Sequence, residues 1–130
     1  MAQGPAPAGT GMKRVQFLGS ARSGTTDAWA MRVTSILLVP LSVAFVAIIL
    51  SLLGKDSAGV RAELGRPVAA ILMLFFLLTS VFHMKLGMQS VIDDYVHDAH
   101  LKEWSLIANL VFSITIGLAC VYAIFRLSLA

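Results

Sequence analysis

Charged residues are scarce in this sequence. Asp, Glu, Lys and Arg make up 13% of its 130 residues, about half the share of roughly 25% that is usual in soluble domains. Hydrophobic residues make up 58%, and the mean hydropathy is +0.84. This imbalance argues against a water-soluble globule and indicates an integral membrane protein.

Two features that would point to other kinds of function are also missing. Cys120 is the single cysteine, so the chain has no pair for an intrachain disulfide and no cysteine set for an iron–sulfur cluster. We interpret it as a small buried hydrophobic residue. The net charge is only +3, from 10 Lys and Arg against 7 Asp and Glu. It forms no basic stripe interleaved with aromatic residues, so nucleic-acid binding is set aside.

The apolar residues that dominate the chain fall into three runs, each long enough to cross about 30 Å of hydrocarbon. We predict an all-α membrane protein with transmembrane helices at about 28–53, 67–92 and 104–127. Residues 1–23 are rich in Gly, Ala, Pro and Ser, which predicts a flexible N-terminal tail. The membrane domain is expected over 24–130.

Local signals indicate where these spans begin, bend and end. Asp27, or Thr26 before it, suits the N-cap of the first helix. Pro40 lies in the middle of this span and predicts a kink, whereas Pro67 suits the first turn of the second helix. Polar connectors are predicted over 54–66 and 93–103.

One face of the second span carries an unusual set of residues. A helix advances about 100° per residue, so Gly87, Ser90 and Asp94 lie within roughly 40° of the direction of His83. His83 is about ten residues from the helix end, where an ionisable side chain suggests a metal ligand or a proton relay rather than simple packing. Histidine is a common axial ligand of haem. Gly87, one turn away, suits the approach of a flat macrocycle or ordinary helix packing.

Polar groups also mark one end of the first two spans. Arg32 lies one turn into the first helix, as a solvated interfacial side chain or as a clamp for a carboxylate. Asp94 and Tyr95 close the second helix, as ordinary interfacial residues or as a site for a polar-headed apolar ligand such as a quinone. Because antiparallel neighbours alternate in direction, these three residues are expected at the same membrane face. Lys85 points about 200° away from His83 and receives no chemical role.

Two segments of the chain combine these residues at fixed spacings: His83-x-x-x-Gly87-x-x-x-Val91-x-x-Asp94-Tyr95-Val96 and Gly24-x-x-Asp27-x-x-x-x-Arg32-x-Thr34-x-Ile36. These segments resemble the small hydrophobic membrane anchor of bacterial succinate dehydrogenase, respiratory complex II, of the alphaproteobacterial type. The order and separation of the segments fit that family, and the resemblance covers nearly the whole chain except the tail.

The resemblance implies a role for each matching residue. His83 matches an axial ligand of the haem b iron, whose second histidine comes from the cytochrome b anchor subunit, so the three helices form part of a heterodimeric haem-binding bundle. Arg32 matches an arginine that faces the haem propionates, and Gly87 lies beside that site. Tyr95 matches a tyrosine that hydrogen-bonds ubiquinone, and Asp94 matches its acidic neighbour. Polar Lys85 and Asp93 depart from the family pattern.

These matches imply a non-catalytic subunit that anchors a flavoprotein and an iron–sulfur subunit to the bacterial inner membrane. The N-terminus is expected in the cytoplasm. An anchor of a related fumarate reductase is an alternative, because other subunits set the direction of the reaction. A small proton-coupled transporter or channel subunit, with His83 and Asp94 as a proton relay, is a second alternative.

Overall fold

The computed structural model of this chain describes residues 23–129, which consist almost entirely of α-helix. Three of the helices are long and apolar enough to cross a membrane. The predicted all-α fold with three candidate spans is therefore confirmed for this part of the chain. The helices are α1 (Ser23–Ser51), α2 (Ser57–Leu64), α3 (Pro67–Tyr95) and α4 (Ala99–Leu129). The predicted tail lies outside the described residues except at Ser23, where α1 begins.

The helices extend further towards water than the hydropathy pattern predicts. Because α1 begins at Ser23, Asp27 lies inside the helix and the prediction that it caps the N-terminus is wrong. The predicted charged connector over 93–103 is reduced to residues 96–98. A helical backbone satisfies its own hydrogen bonds whether its side chains face lipid or water, so charged residues mark the edge of the membrane rather than the end of a helix.

The first connector contains a short helix that its polar composition did not predict. Asp56 caps α2 by accepting a hydrogen bond from the backbone N–H of Gly59 at 2.8 Å. Leu64, near the other end, is buried. An eight-residue helix is marginal by itself, so the burial of Leu64 against the longer helices stabilises α2 in a way that composition does not reveal.

Charged side chains hold the two ends of this connector together. Lys55 Nζ lies 3.0 Å from one carboxylate oxygen of Glu63, and an Arg66 guanidinium nitrogen lies 3.5 Å from the other. The hydrogen bond from Lys55, helped by the charge of Arg66, lowers the pKa of Glu63 below its usual value. Gly54 has a φ of 77°, a left-handed conformation that glycine adopts without a steric penalty and that turns the chain after α1.

Pro40 lies within α1, and the helix continues on both sides of it. Proline has no N–H, so the carbonyl of Ile36 loses its usual donor four residues later. Pro40 is exposed on the side of the helix. The kink predicted here stays a prediction.

The long helices form a single layer with α3 in the middle. Helix α3 packs against both α1 and α4, and in the described part of the chain α1 and α4 do not contact each other. Near the end of the layer where α2 lies, Leu64, Met73 and Ile124 form the buried core cluster. A layer of three helices does not enclose an interior, so each helix has a face available to lipid or to another protein.

The exposed surface of this layer is strongly apolar. Ile36, Val68 and Leu118 are 71%, 71% and 66% exposed, and no large side chain among the described residues is completely buried. Such contiguous exposure is rare on soluble monomers. It fits a chain whose surface is covered by lipid and by other helices.

Asn109 provides a buried polar contact between α3 and α4. Its side chain is 8% exposed, and its Nδ2 donates to the backbone carbonyl of Lys85 at 3.0 Å. We expect Asn109→Leu to reduce the free energy of unfolding by about 0.6 kcal/mol, the average for interhelical hydrogen bonds in membranes, and by about 1.7 kcal/mol at most. The measurement is the midpoint of unfolding in mixed detergent micelles.

Thr115→Val is the matched control, because its hydroxyl donates to Val111 O within α4 at 2.8 Å and its side chain is exposed. It removes a polar group of α4 without removing a bond between helices. Equal destabilisation by the two substitutions would contradict a special contribution of Asn109 to the contact between α3 and α4.

Candidate functional site

The polar residues of the first two spans meet in a cleft between α1 and α3. At the end of the layer where α1 begins, this cleft contains a cavity of about 420 Å³. Residues from both helices line it, and several of them carry charge or a hydrogen-bonding group. The lining residues are Asp27, Ala28, Met31, Arg32, Leu86, Gln89, Ser90 and Asp93.

His83 lies deeper in the same cleft and is partly buried. Its Nδ1 is 2.8 Å from Oγ1 of Thr34, on the facing side of α1. Thr34 is itself 7% exposed. This contact fixes the direction of the imidazole relative to α1, so His83 is held by a specific polar partner rather than by apolar packing alone.

A second contact shows that the two helices share one antiparallel register. Gln89 Nε2 donates to Asp27 Oδ2 at 3.0 Å. Asp27 precedes Thr34 by seven positions, and Gln89 follows His83 by six, so the two hydrogen bonds lie about two helical turns apart. Together they bind α1 to α3 along the length of the cleft.

Arg32 lies beside the cavity with its side chain exposed. Its guanidinium makes no hydrogen bond or ion pair with any other residue of the described chain. The carboxylate that α3 contributes to the wall of the cavity is that of Asp93, and Asp93 pairs instead with Lys102 Nζ at 3.3 Å. Arg32 is thus a permanently charged group at the membrane edge, able to receive an anion from outside this chain.

Asp94 and Tyr95 lie at the same end of the layer, as expected, but outside the cavity. Both side chains are exposed, with Tyr95 at 78%. The neighbour Asp93 lines the cavity beside Arg32 instead. Tyr95 therefore lies on the outer surface of this chain and not in the α1–α3 cleft.

Gly87 faces α1 with room to spare. A Cβ placed on Gly87 would lie 4.0 Å from Cε of Met31, an ordinary contact distance. The packing of α1 on α3 therefore does not require glycine here. Ser90, on the same face, lines the cavity and donates to Leu86 O at 3.2 Å.

Lys85 lies on the other side of α3, towards α4. Its backbone carbonyl accepts the hydrogen bond from Asn109, and its side chain is partly buried. The side chain forms no ion pair with any residue in 23–129. Lys85 thus contributes to the contact with α4 through its backbone, and it does not line the cavity in the α1–α3 cleft.

Sequence analysis did not assign a function to three residues that build the cleft: Thr34, Gln89 and Asp93. Thr34 and Gln89 could have been found by comparing how far polar residues of antiparallel helices lie from the helix ends that meet at one side of the membrane. Thr34 is about as far from the start of α1 as His83 is from the end of α3, and the same comparison pairs Gln89 with Asp27. The contribution of Asp93 depends on the rotation of α3, which hydropathy does not specify.

The donor set of this cleft is too small to complete a metal site from this chain alone. Within residues 23–129 no group of three or more His, Cys, Asp and Glu side chains converges. Metal sites built only from side chains usually need four ligands, or three with an open position. A haem iron needs only axial ligands from protein, because the macrocycle supplies the other four.

Comparison with known proteins identifies the family. A model described as succinate dehydrogenase/fumarate reductase transmembrane subunit matches residues 7–122. This chain belongs to that family. The family resemblance predicted from the two motifs is therefore confirmed.

Several relatives within the family are similar over most of their length. The succinate dehydrogenase hydrophobic membrane anchor subunit of Paracoccus denitrificans is 31% identical over 120 residues, which cover 92% of each chain. The subunit of the same name from Rickettsia bellii is 36% identical over 107 residues, 82% of this chain and 86% of the relative. The one from Rickettsia conorii is 32% identical over 108 residues, with the same coverage. No solved structure gives a significant match.

Proposed function

We propose that this chain is a non-catalytic membrane anchor subunit of succinate:ubiquinone oxidoreductase. In this proposal it provides one axial ligand of haem b and part of the quinone-reduction site. The related anchor subunits of Paracoccus and Rickettsia support the assignment to succinate dehydrogenase. A fumarate reductase anchor is the alternative, since the matching family model includes both enzymes.

The observation that carries the haem assignment is the pairing of an oriented imidazole with an unpaired guanidinium along one cleft. His83 lies deep in the span, held by Thr34, while Arg32 lies nearer the membrane edge with no anionic partner among the described residues. A haem has groups that match this arrangement, with iron at its centre for the imidazole and carboxylates along one edge for the guanidinium. A guanidinium suits those carboxylates in geometry and charge.

The residues of the cleft fit this group in three ways. His83 would ligate the iron, and Arg32 would bind a propionate. Gly87 would leave space for the macrocycle beside α3, where an added Cβ would meet only the flexible end of Met31, at 4.0 Å. When bound, haem supplies one-electron redox chemistry within the membrane. The chain's own residues orient the group and neutralise its carboxylates. A second axial ligand would come from the cytochrome b subunit.

The quinone assignment depends on Tyr95 and Asp94 at the end of α3. A phenol hydroxyl donates a hydrogen bond to a carbonyl oxygen, and a neighbouring carboxylate can orient the phenol or help to supply protons. Both side chains are exposed on this chain, as suits a pocket that an iron–sulfur subunit and a second anchor subunit complete. Asp94 would act there as a positioning residue for Tyr95.

The apolar exterior supports a location in the bacterial inner membrane, among other helices. We assign the end that carries Tyr95 to the cytoplasmic face, beneath the flavoprotein and iron–sulfur subunits. This orientation places the N-terminus in the cytoplasm. It also places α2, with its pairs between Glu63 and the flanking Lys55 and Arg66, at the opposite face.

Purification through an affinity tag on this chain, from native membranes in mild detergent, tests the proposal. We expect a flavoprotein and an iron–sulfur protein to co-elute in equal amounts, together with a haem absorbance band that succinate reduces. A mock purification from an untagged strain is the control. A colourless chain that elutes alone would contradict the proposal and favour a proton-coupled transporter or channel subunit.

Gly87 allows a test of the space reserved for the macrocycle. We expect Gly87→Ala to leave the packing of α1 on α3 intact, because the added Cβ lies at contact distance from Met31. The haem content of the assembled complex should fall several-fold, since the methyl group would occupy the surface that the macrocycle approaches. The measurement is the ratio of haem to flavin in the purified complex.

Gly117→Ala in α4 is the matched control. A Cβ added to Gly117 would also meet its neighbours at ordinary distances, 3.9 Å from Val81 and 4.0 Å from Leu78. This substitution adds the same methyl group to a helix contact away from the cleft. An unchanged ratio of haem to flavin in both variants would contradict the proposed position of the macrocycle.

A further inference from the structure

The hydroxyl of Thr34 occupies an unusual position on α1. Its Oγ1 lies 2.8 Å from the carbonyl oxygen of Ala30, 3.1 Å from that of Met31 and 2.8 Å from Nδ1 of His83. The side chain is 7% exposed. One hydroxyl therefore contacts three potential partners in a place where water does not compete.

Proton counting assigns the direction of each of these hydrogen bonds. A hydroxyl has one proton to donate, and carbonyl oxygens only accept. If Thr34 donated its proton to His83, its oxygen would face the Ala30 carbonyl at 2.8 Å with no proton between two acceptors. Donation to the carbonyl removes that repulsion. The hydroxyl oxygen is then left to accept from Nδ1–H of His83.

This network selects one tautomer of the imidazole. With the proton on Nδ1, the lone pair of a neutral ring lies on Nε2, on the side of the ring away from Thr34. Metal-bound histidines depend on such a partner for the second nitrogen, which fixes the ring orientation and raises the basicity of the ligand. The bond to the α1 backbone in turn holds the Thr34 hydroxyl in place.

We propose that Thr34 is a positioning residue for His83, holding the imidazole as the Nδ1–H tautomer so that Nε2 is presented to the haem iron. This inference rests on the proposed ligation of haem by His83. Thr34 itself does not contact the iron. It affects the electron density on Nε2 of His83 and the orientation of the imidazole ring.

The test uses the assembled complex, with Thr34→Val to remove the hydroxyl at similar volume and Thr34→Ser to keep it. We expect Thr34→Val to weaken electron donation from His83 to the iron. The affinity of the site for ferric relative to ferrous haem should then fall by about tenfold. For a one-electron couple this corresponds to a rise in midpoint potential of about 59 mV. Thr34→Ser should retain the wild-type potential and absorbance spectrum.

Ser35→Val is the matched control. The Ser35 hydroxyl donates to Met31 O at 2.7 Å, on the exposed side of the same turn, so the variant loses a similar bond without touching His83. A Thr34→Val complex that assembles without haem, while the Ser35→Val and Thr34→Ser complexes keep it, also supports the proposal. Equal loss of haem in Thr34→Val and Ser35→Val would overturn it.

Two further results separate this inference from the assignment of haem itself. An unchanged potential in Thr34→Val, or a Thr34→Ser variant that behaves like Thr34→Val, overturns the role of the hydroxyl while haem ligation stands. A wild-type complex that contains no haem overturns both. The absorbance of the wild-type complex, measured first, therefore decides which proposal a negative result concerns.

Discussion

Replacing His83 with alanine is expected to change the haem of the assembled complex more than any other substitution in this chain. The imidazole lies about three turns inside α3, and Thr34 holds it in the α1–α3 cleft. If His83 is the axial ligand that we propose, its loss would leave the iron with a protein ligand from the other anchor subunit alone. Because axial ligands set haem potentials over a range of about 0.8 V, we expect a shift on the order of 100 mV or more, or complete loss of the haem.

The measurement is a redox titration of the haem absorbance in the purified complex, normalised to flavin. His97→Ala is the matched control, because His97 is exposed in the short connector between α3 and α4. It removes an imidazole of the same chain without reaching the cleft. A normal spectrum and midpoint potential in His83→Ala would reject the assignment of this residue as a ligand.

The second large effect concerns Tyr95. We expect Tyr95→Phe to lower quinone reductase activity by about tenfold, equivalent to about 1.4 kcal/mol, which is within the usual range for a lost hydrogen bond. Succinate oxidation with an artificial acceptor should continue at the wild-type rate, because that electron path ends before the quinone. The two activities are measured on one preparation.

Tyr122→Phe is the natural comparison for this experiment. Both tyrosines are largely exposed, at 78% for Tyr95 and 65% for Tyr122. Tyr122 lies in the second half of α4, which runs away from the end that carries Tyr95. A hydroxyl lost there should affect neither activity. If Tyr95→Phe reduced both activities equally, a defect in assembly would explain the loss better than a missing contact with quinone.

Much of this architecture can be predicted from the sequence for a simple reason. Crossing a membrane requires a long apolar helix, so the three long apolar runs along the sequence predict three spans. The helix ends were predicted less well. Asp27 seemed to be a cap but lies inside α1 and binds Gln89, because hydropathy detects the edge of the membrane and not the edge of the helix. The helix α2 was missed because its stability depends on the burial of Leu64.

The candidate site, too, could be predicted from the sequence only in part. An ionisable group in an apolar span is conspicuous, so His83 and Arg32 could be selected without coordinates. Their surroundings could not, because the rotation of each helix depends on packing between helices. Rotation places Asp93 rather than Asp94 in the cavity, and it leaves Tyr95 on the exterior.

The sequence by itself determined that this chain is a three-span membrane protein, which residues in the spans are chemically unusual, and which family it resembles. Each of these depends on residue type and on spacing along the chain. Only the tertiary structure decided that α3 lies between α1 and α4 and that Thr34 faces His83 across the cleft. The contact between Thr34 and His83 joins residues 49 positions apart. The antiparallel register that creates it is set by the packing of whole helix faces.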